Sequence, residues 1–276
     1  MNREVKLMAR FRAAIISDVH YGPDIRDKLG SKAPRLMNAF IKATKNYAPD
    51  MIIDLGDRIS AQNEDDDLKH LKSYCDHFNE VATPYHGVIG NHDDKNMTRE
   101  LHAFFAGIPA QSYSIDEGGY HLVFWSPTRF VSPEIGIHID QESIDWLRDD
   151  IAATDKPVLV FSHVPLDNLE EEGHRDVDKY FFWTQGDEVR RVLEDSGKVI
   201  MSMAGHRHRD RHREINGIHH ITINSMVDTW KQHYRVPRGT YAFLEVTDDR
   251  ILIQVKGKTP RVYDLKPKDT APAPKI

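Results

Sequence analysis

Only one cysteine, Cys75, occurs in the 276 residues, so an internal disulfide is excluded and a reducing compartment is the expected setting. A small buried hydrophobe is the simplest role for a thiol without a partner. Long apolar runs are also missing. After the basic stretch 1–12, the run 13–16 stops at Ser17 and Asp18, too short for a signal-peptide core or a membrane span. Together these absences set a cytoplasmic expectation with no anchor. There is no surplus of positive charge: 37 Lys and Arg face 43 Asp and Glu, a net charge of −6. That argues against whole-surface attraction to nucleic acid or anionic membrane, though a local basic patch remains open. Internal repeats and an interdomain linker are not found. Hydrophobic content of 39% and charged content of 29% fit an ordinary globular chain able to bury a sizeable core. A single domain is expected over 1–265, with residues 164–186 as a cap-like insertion. The Pro/Lys/Ala-rich tail 266–276 is expected to be disordered.

Short apolar runs bounded by turn residues read as buried strands at 12–16, 51–55, 87–89, 157–161 and 198–203. Helical patterns fall at 31–47, 68–81, 97–105 and 141–152, the last opened by Asp140 as candidate N-cap, with another reaching Ser196. The first 90 residues thus read β-α-β-α-β, which predicts a parallel sheet with right-handed crossovers. Strands at 112–115 and 120–126 flank the turn Asp116-Glu117-Gly118-Gly119. The segments 214–224, 241–246 and 251–255 are β-rich and are expected to pair as a second sheet.

The polar residues just past the predicted strands share a chemistry. They are Asp18 and His20, Asp57, Asn91 and His92, His163, and His206 and His208. Sheets of this type build their sites at strand C-terminal ends. In an extended segment residues i and i+2 point the same way, so Asp18 with His20, and His206 with His208, are expected to reach one ion each. Even without His92, the seven remaining nitrogen and oxygen donors exceed the four that one tetrahedral zinc uses. Two ions are therefore implied, about 3.5–4 Å apart when a carboxylate bridges them. Mixed imidazole and carboxylate ligands suit manganese, iron, cobalt, nickel or zinc better than calcium or magnesium.

Asp18-x-His20, Gly56-Asp57, Gly90-Asn91-His92-Asp93, Ser162-His163 and Gly205-His206-x-His208, in this order, resemble the five motifs of the calcineurin-like metallophosphoesterases. The resemblance runs from about Ile15 to His208. It implies an α/β fold of four layers, with two mixed β-sheets packed as a sandwich and flanked by helices. It further implies that Asp18, His20 and His208 hold a first metal, that Asn91, His163 and His206 hold a second, and that Asp57 bridges. His92 would then stabilise charge at the phosphate or protonate the leaving oxygen, oriented by Asp93. A hydroxide shared by two cations would be the nucleophile of an in-line attack.

The second motif departs from the family pattern, because Ser60 stands where a further Asp, or the Tyr of purple acid phosphatases, is usual. That argues against the purple branch and leaves the orienting partner of His92 open. Arg58 and Tyr21 are candidate substrate contacts, one to phosphate and one by stacking; an ion pair is the structural alternative for Arg58. Tyr180-Phe181-Phe182-Trp183 could stack a base or pack a cap or homodimer contact. The loop 228–238, with Trp230, His233 and Tyr234, could close over the site. The arginines 207–213 alternate with acids and histidines, which weakens a nucleic-acid reading. The expected function is a dinuclear phosphohydrolase acting on a small nucleotide-type or glycerol-type phosphodiester. Phosphomonoesterase and nuclease activities are the enzyme alternatives. A non-catalytic scaffold is the competing class, and the complete donor set argues against it.

Overall fold

The structure is a computed structural model and describes residues 10–132, 134–167, 183–229 and 235–268. One sheet begins with strand β1 (Arg10–Ile16). A two-strand hairpin follows, β2 (Asp24–Ile25) and β3 (Lys28–Leu29), then helix α1 (Ala33–Tyr47) and strand β4 (Met51–Asp54). Helix α2 (Glu64–Asp76), strand β5 (Tyr85–Gly87) and helix α3 (Arg99–Ala106) complete the first part. β1 pairs in parallel with β4, and β4 with β5, as the β-α-β-α-β reading expects. The third strand ends two residues earlier than its apolar run suggests, because Val88–Ile89 already belong to the loop that carries Asn91.

Strands β6 (Tyr113–Glu117) and β7 (Tyr120–Trp125) form the expected hairpin. A second small hairpin, β8 (Arg129–Ser132) with β9 (Gly136–Ile139), was not legible in the apolar pattern. Helix α4 (Gln141–Ala152) begins where Asp140 accepts from the Ser143 amide at 2.9 Å, an N-cap as expected. Strands β10 (Val158–Ser162) and β11 (Val199–Ala204) lie parallel, with helix α5 (Gly186–Asp195) between them in sequence.

The C-terminal strands do not form a sheet of their own. β12 (Arg211–Ile215) and β13 (Ile218–Thr222) extend the β10–β11 sheet, whereas β14 (Tyr241–Thr247), β15 (Arg250–Lys256) and β16 (Arg261–Leu265) extend the β1 sheet. Two mixed six-stranded sheets result, in the orders β16-β15-β14-β1-β4-β5 and β12-β13-β11-β10-β7-β6.

Alternation along β1 explains the layers. Phe11, Ala13 and Ile15 join Leu122, Phe124, Leu159, Phe161 and Met203 in the core between the sheets. Ala14 and Ile16 point the other way, onto Met37, Phe40 and Ile41 of α1. On the outer face of the second sheet, Val123, Val158 and Val160 meet Ile144 and Leu147 of α4 and Val189 and Leu193 of α5. Strands buried on both faces read as continuous apolar runs, and the result is a helix–sheet–sheet–helix sandwich. No helix among the described residues is long and apolar enough to cross a membrane. The start of the expected tail is docked, since the Lys266 carbonyl accepts from His219 Nε2 at 2.9 Å; residues 269–276 lie outside the described residues.

Candidate metal centre

Both sheets deliver their parallel strands to one end. Past β1 the chain carries Asp18 and His20, past β4 Asp57, past β5 Asn91 and His92, past β10 His163, and past β11 His206 and His208. The β1 and β4 loops are zipped together by main-chain bonds, with Asp18 N donating to Gly56 O and His20 N to Asp57 O, each at 3.0 Å. Close approach depends on two glycines. A Cβ at Gly90 would lie 2.2 Å from Asp57 Oδ1, and one at Gly205 would lie 2.0 Å from Ser17 Oγ.

The local geometry of the paired ligands differs from the extended expectation. Asp18, His20, Asp57, His206 and His208 all have positive φ, between 44° and 65°. The i, i+2 pairs converge through left-handed turns instead of strand alternation. Such backbone is costly for residues with a Cβ and persists where surrounding contacts enforce it, commonly at functional sites.

The donor atoms fall into two groups. In the first, His20 Nε2 and His208 Nε2 are 3.1 Å apart, and Asp18 Oδ1 lies 3.2 Å from His208 Nε2 and 3.8 Å from His20 Nε2. In the second, His163 Nε2 stands 3.0 Å from Asn91 Oδ1, 3.2 Å from His206 Nδ1 and 3.4 Å from Asp57 Oδ2. That same Asp57 oxygen is 3.7 Å from His20 Nε2, so one carboxylate faces both groups. Ligands bound at about 2.0–2.2 Å around a common ion are spaced by roughly 3 Å or a little more, which these separations match.

Hydrogen bonding shows why a cation fits. His163 Nδ1 donates to the Leu55 carbonyl at 2.8 Å, which leaves a lone pair on Nε2 that meets the Asn91 carbonyl oxygen and His206 Nδ1. His208 Nδ1 faces Asp228 Oδ2 at 3.5 Å, leaving its Nε2 aimed at the first group. Asp18 Oδ1 is buried without a hydrogen bond of good geometry, while Oδ2 accepts from Ser17 Oγ at 2.5 Å and His206 N at 3.0 Å. Acceptors converging on acceptors require a proton or a metal between them. A proton on either imidazole would serve in place of a cation. Burial works against charging His163 and His208, but Asp57 and Asp18 respectively overcome it and raise each imidazole to about 9. Burial likewise opposes Asp57, yet His163 and His92 hold its carboxyl well below the usual range. Metal loading would displace those protons.

His92 lies outside these two groups of seven residues but makes a further possible ligand group with His20 and Asp57, their ligand atoms lying within 4.8 Å of one another. Its ring is edge-on to His20, with centroids 4.8 Å apart. Nδ1 lies 3.3 Å from the Ser60 carbonyl, and Nε2 lies 3.5 Å from Lys28 Nζ. Both His92 and Lys28 line a cleft of about 640 Å³ over the donor atoms.

Three expected roles are corrected here. Asp93 does not orient His92. Its oxygens accept from the amides of Asp57, Arg58 and Gly90 at 2.7–2.9 Å and pair with Arg58 Nη1 at 3.1 Å, so the carboxylate is spent on holding the ligand loops. Arg58 is not a substrate contact. It is fully buried, with Nε 3.0 Å from Asp54 Oδ2 and Nη1 bonded to the Val88 carbonyl at 2.8 Å. Tyr21 packs on His70 and His77 instead of lining the cleft. Of the aromatic tetrad, Trp183 is a core residue against Trp125. Tyr180, Phe181 and Phe182 lie outside the described residues, as do Trp230, His233 and Tyr234.

Lys28 and the carbonyls of Leu55 and Ser60 were missed by sequence reasoning, and Asp228 entered it only as the start of a loop that could close over the site. A carbonyl is present at every position and leaves no side-chain signal. Lys28 and Asp228 meet only because their segments bridge in the folded chain.

A family model described as calcineurin-like phosphoesterase matches residues 11–210, a span that includes all seven donors and His92. Among curated proteins no sequence matches. Among solved structures, the chain is similar to a dimetal phosphatase from Danio rerio, with a TM-score of 0.74, 16% identity, and coverage of 93% of this chain and 98% of that one. It is also similar to GAP50, the anchor in the inner membrane complex of Plasmodium (TM-score 0.61, 16% identity, 95% and 90% covered). A phosphopantetheinyl hydrolase from Mycobacterium tuberculosis superposes with a TM-score of 0.51 at 15% identity, over 79% and 90% of the two chains. At these identities the structural likeness is one of fold, and the matched family span carries the assignment. The chain belongs to the calcineurin-like phosphoesterase family.

Proposed function

We propose that this protein is a dinuclear metal-dependent phosphohydrolase with a preference for small phosphodiesters. The observation that carries the reading is Asp57 Oδ2, which faces ring nitrogens of both donor groups at 3.4 and 3.7 Å. One carboxylate shared in this way suits two transition-metal ions such as manganese, iron, zinc or cobalt. When bound, the pair would supply Lewis acidity and an activated water. The residues of the chain do the rest. Asp18, His20 and His208 hold one position, Asn91, His163 and His206 the other, and the buried Asp93–Arg58–Asp54 network fixes the loops beneath them. His92, held by the Ser60 carbonyl, presents Nε2 to the cleft beside the Lys28 ammonium. A proton shared between these two nitrogens is placed to reach a leaving oxygen. Ile25, Val131 and Ile137 add apolar wall to the cleft, giving room and contact for the second organic arm of a diester.

The test compares bis(p-nitrophenyl) phosphate with p-nitrophenyl phosphate after chelator stripping and reloading with each metal. Faster metal-restored turnover of the diester is expected. His92→Ala should lower that turnover by about 10²–10⁴-fold while the bound metal stays unchanged. Preference for the monoester would replace the diesterase assignment with a phosphatase. No turnover with any metal would overturn the hydrolase reading.

A further inference from the structure

Beside the metal cleft lies a second cleft of about 680 Å³, and the two share Asn91, His92 and Val131 as a common wall. The second cleft is lined by Lys95, Arg99, Gln111 and Arg129, with Asp94 and Glu100 as its acids. Lys95 and Glu100 are exposed at its edge and offset each other in charge. Inside, two guanidiniums share a single carboxylate. Arg129 takes it, bonding Asp94 and the Gly90 carbonyl, the latter at 2.7 Å. Arg99 approaches Asp94 only at 3.9 Å from Nε, and that buried nitrogen has no hydrogen bond. Its Nη2 makes one long bond, 3.3 Å, to the Pro127 carbonyl. The Arg99 and Arg129 side chains are 12% and 8% exposed. A largely buried cation with an unmet donor is costly unless an anion completes it.

The position of this charge gives it a meaning. His92 carries the proton-donating role in the proposed reaction, and it separates the two clefts. A leaving group that departs past His92 enters the second cleft. We propose that this cleft is an anion subsite for the leaving portion of the substrate, so that the enzyme favours phosphoanhydrides or diesters whose leaving group is itself a phosphate monoester. The inference rests on the phosphohydrolase reading and deepens it. For a nucleoside diphosphate sugar, the water oxygen bonds the nucleoside-side phosphorus. The bond from that phosphorus to the bridging oxygen breaks, and its electron pair leaves with the sugar phosphate. Each product monoester keeps one of the two water protons. Arg99 then receives the oxygens of the departing phosphate, as a planar donor fork does well.

UDP-glucose and bis(p-nitrophenyl) phosphate test this on the metal-loaded protein, with calorimetric binding of glucose 1-phosphate read alongside. The wild type is expected to prefer UDP-glucose in kcat/KM. Arg99→Met should reduce that preference at least tenfold, mainly through KM, and weaken glucose 1-phosphate binding by a similar factor. Arg99→Lys should retain part of both. Equal loss on the two substrates would show a merely structural arginine and overturn the subsite. So would unchanged glucose 1-phosphate binding in Arg99→Met, or turnover of bis(p-nitrophenyl) phosphate without an Arg99-dependent preference for UDP-glucose. Absence of turnover of both UDP-glucose and bis(p-nitrophenyl) phosphate by the loaded wild type would instead remove the phosphodiesterase reading, and the leaving-group assignment with it.

Discussion

Asp57→Asn should abolish hydrolysis, with a loss on the order of a thousandfold or more, and should lower the bound metal from two ions per chain to one or none. The substitution keeps the shape of the side chain and the oxygen that accepts from the His92 amide at 2.8 Å. It removes the negative charge that faces His163 and His20 together. No other described residue takes part in both the first and second donor groups. A carboxamide placed there adds a donor among acceptors and cannot offset charge between two cations. Metal analysis of the purified variant, together with circular dichroism to show an intact fold, checks the expectation. Full activity, or two ions retained, would mean that the bridge lies elsewhere.

Arg58→Met should produce the largest loss of stability, about 3–5 kcal/mol. The guanidinium is fully buried between Asp54 and Asp93, at 3.0 and 3.1 Å, and methionine would leave two carboxylates without their counter-charge. Burial pushes the Asp93 carboxyl upward, and Arg58 is the main group opposing it. The damage would reach the metal centre through the backbone, because Asp54 accepts from the Gly56 amide and Asp93 from the amides of Asp57, Arg58 and Gly90. For a domain of this size the melting temperature should fall on the order of 10 °C, with weaker metal retention. Adding Asp93→Asn to the variant should recover part of the loss, since one uncompensated charge goes. A variant that melts within a degree or two of wild type would show that the pair contributes little.

The convergence of these side chains was legible because each follows a short apolar run that reads as a buried strand, and strand ends fix where side chains gather. Asp18, Asp57, His163 and His206 needed no more than that. The left-handed turns at Asp18, His20 and His208 were not legible, since nothing in the side chains distinguishes them from an extended i, i+2 pair. Asp93 and Arg58 were misread for a related reason. Both lie in motifs with the chemistry to act on substrate, and only the folded chain shows Arg58 turned inward between Asp54 and Asp93. The division of β12–β13 and β14–β16 between two sheets escaped notice as well, because an alternating apolar strand carries no mark of which edge it will join. Arg99 and Arg129 are far from the metal motifs in character, and their shared carboxylate exists only once the β8–β9 hairpin folds against the Asn91 loop.

The most direct test of the two-ion centre is anomalous diffraction from crystals of the manganese-loaded protein. Two peaks roughly 3.5–4 Å apart are expected, one among Asp18, His20 and His208, the other among Asn91, His163 and His206, with Asp57 touching both. A single peak, or a pair that leaves Asp57 uncoordinated, would contradict the bridged two-ion centre.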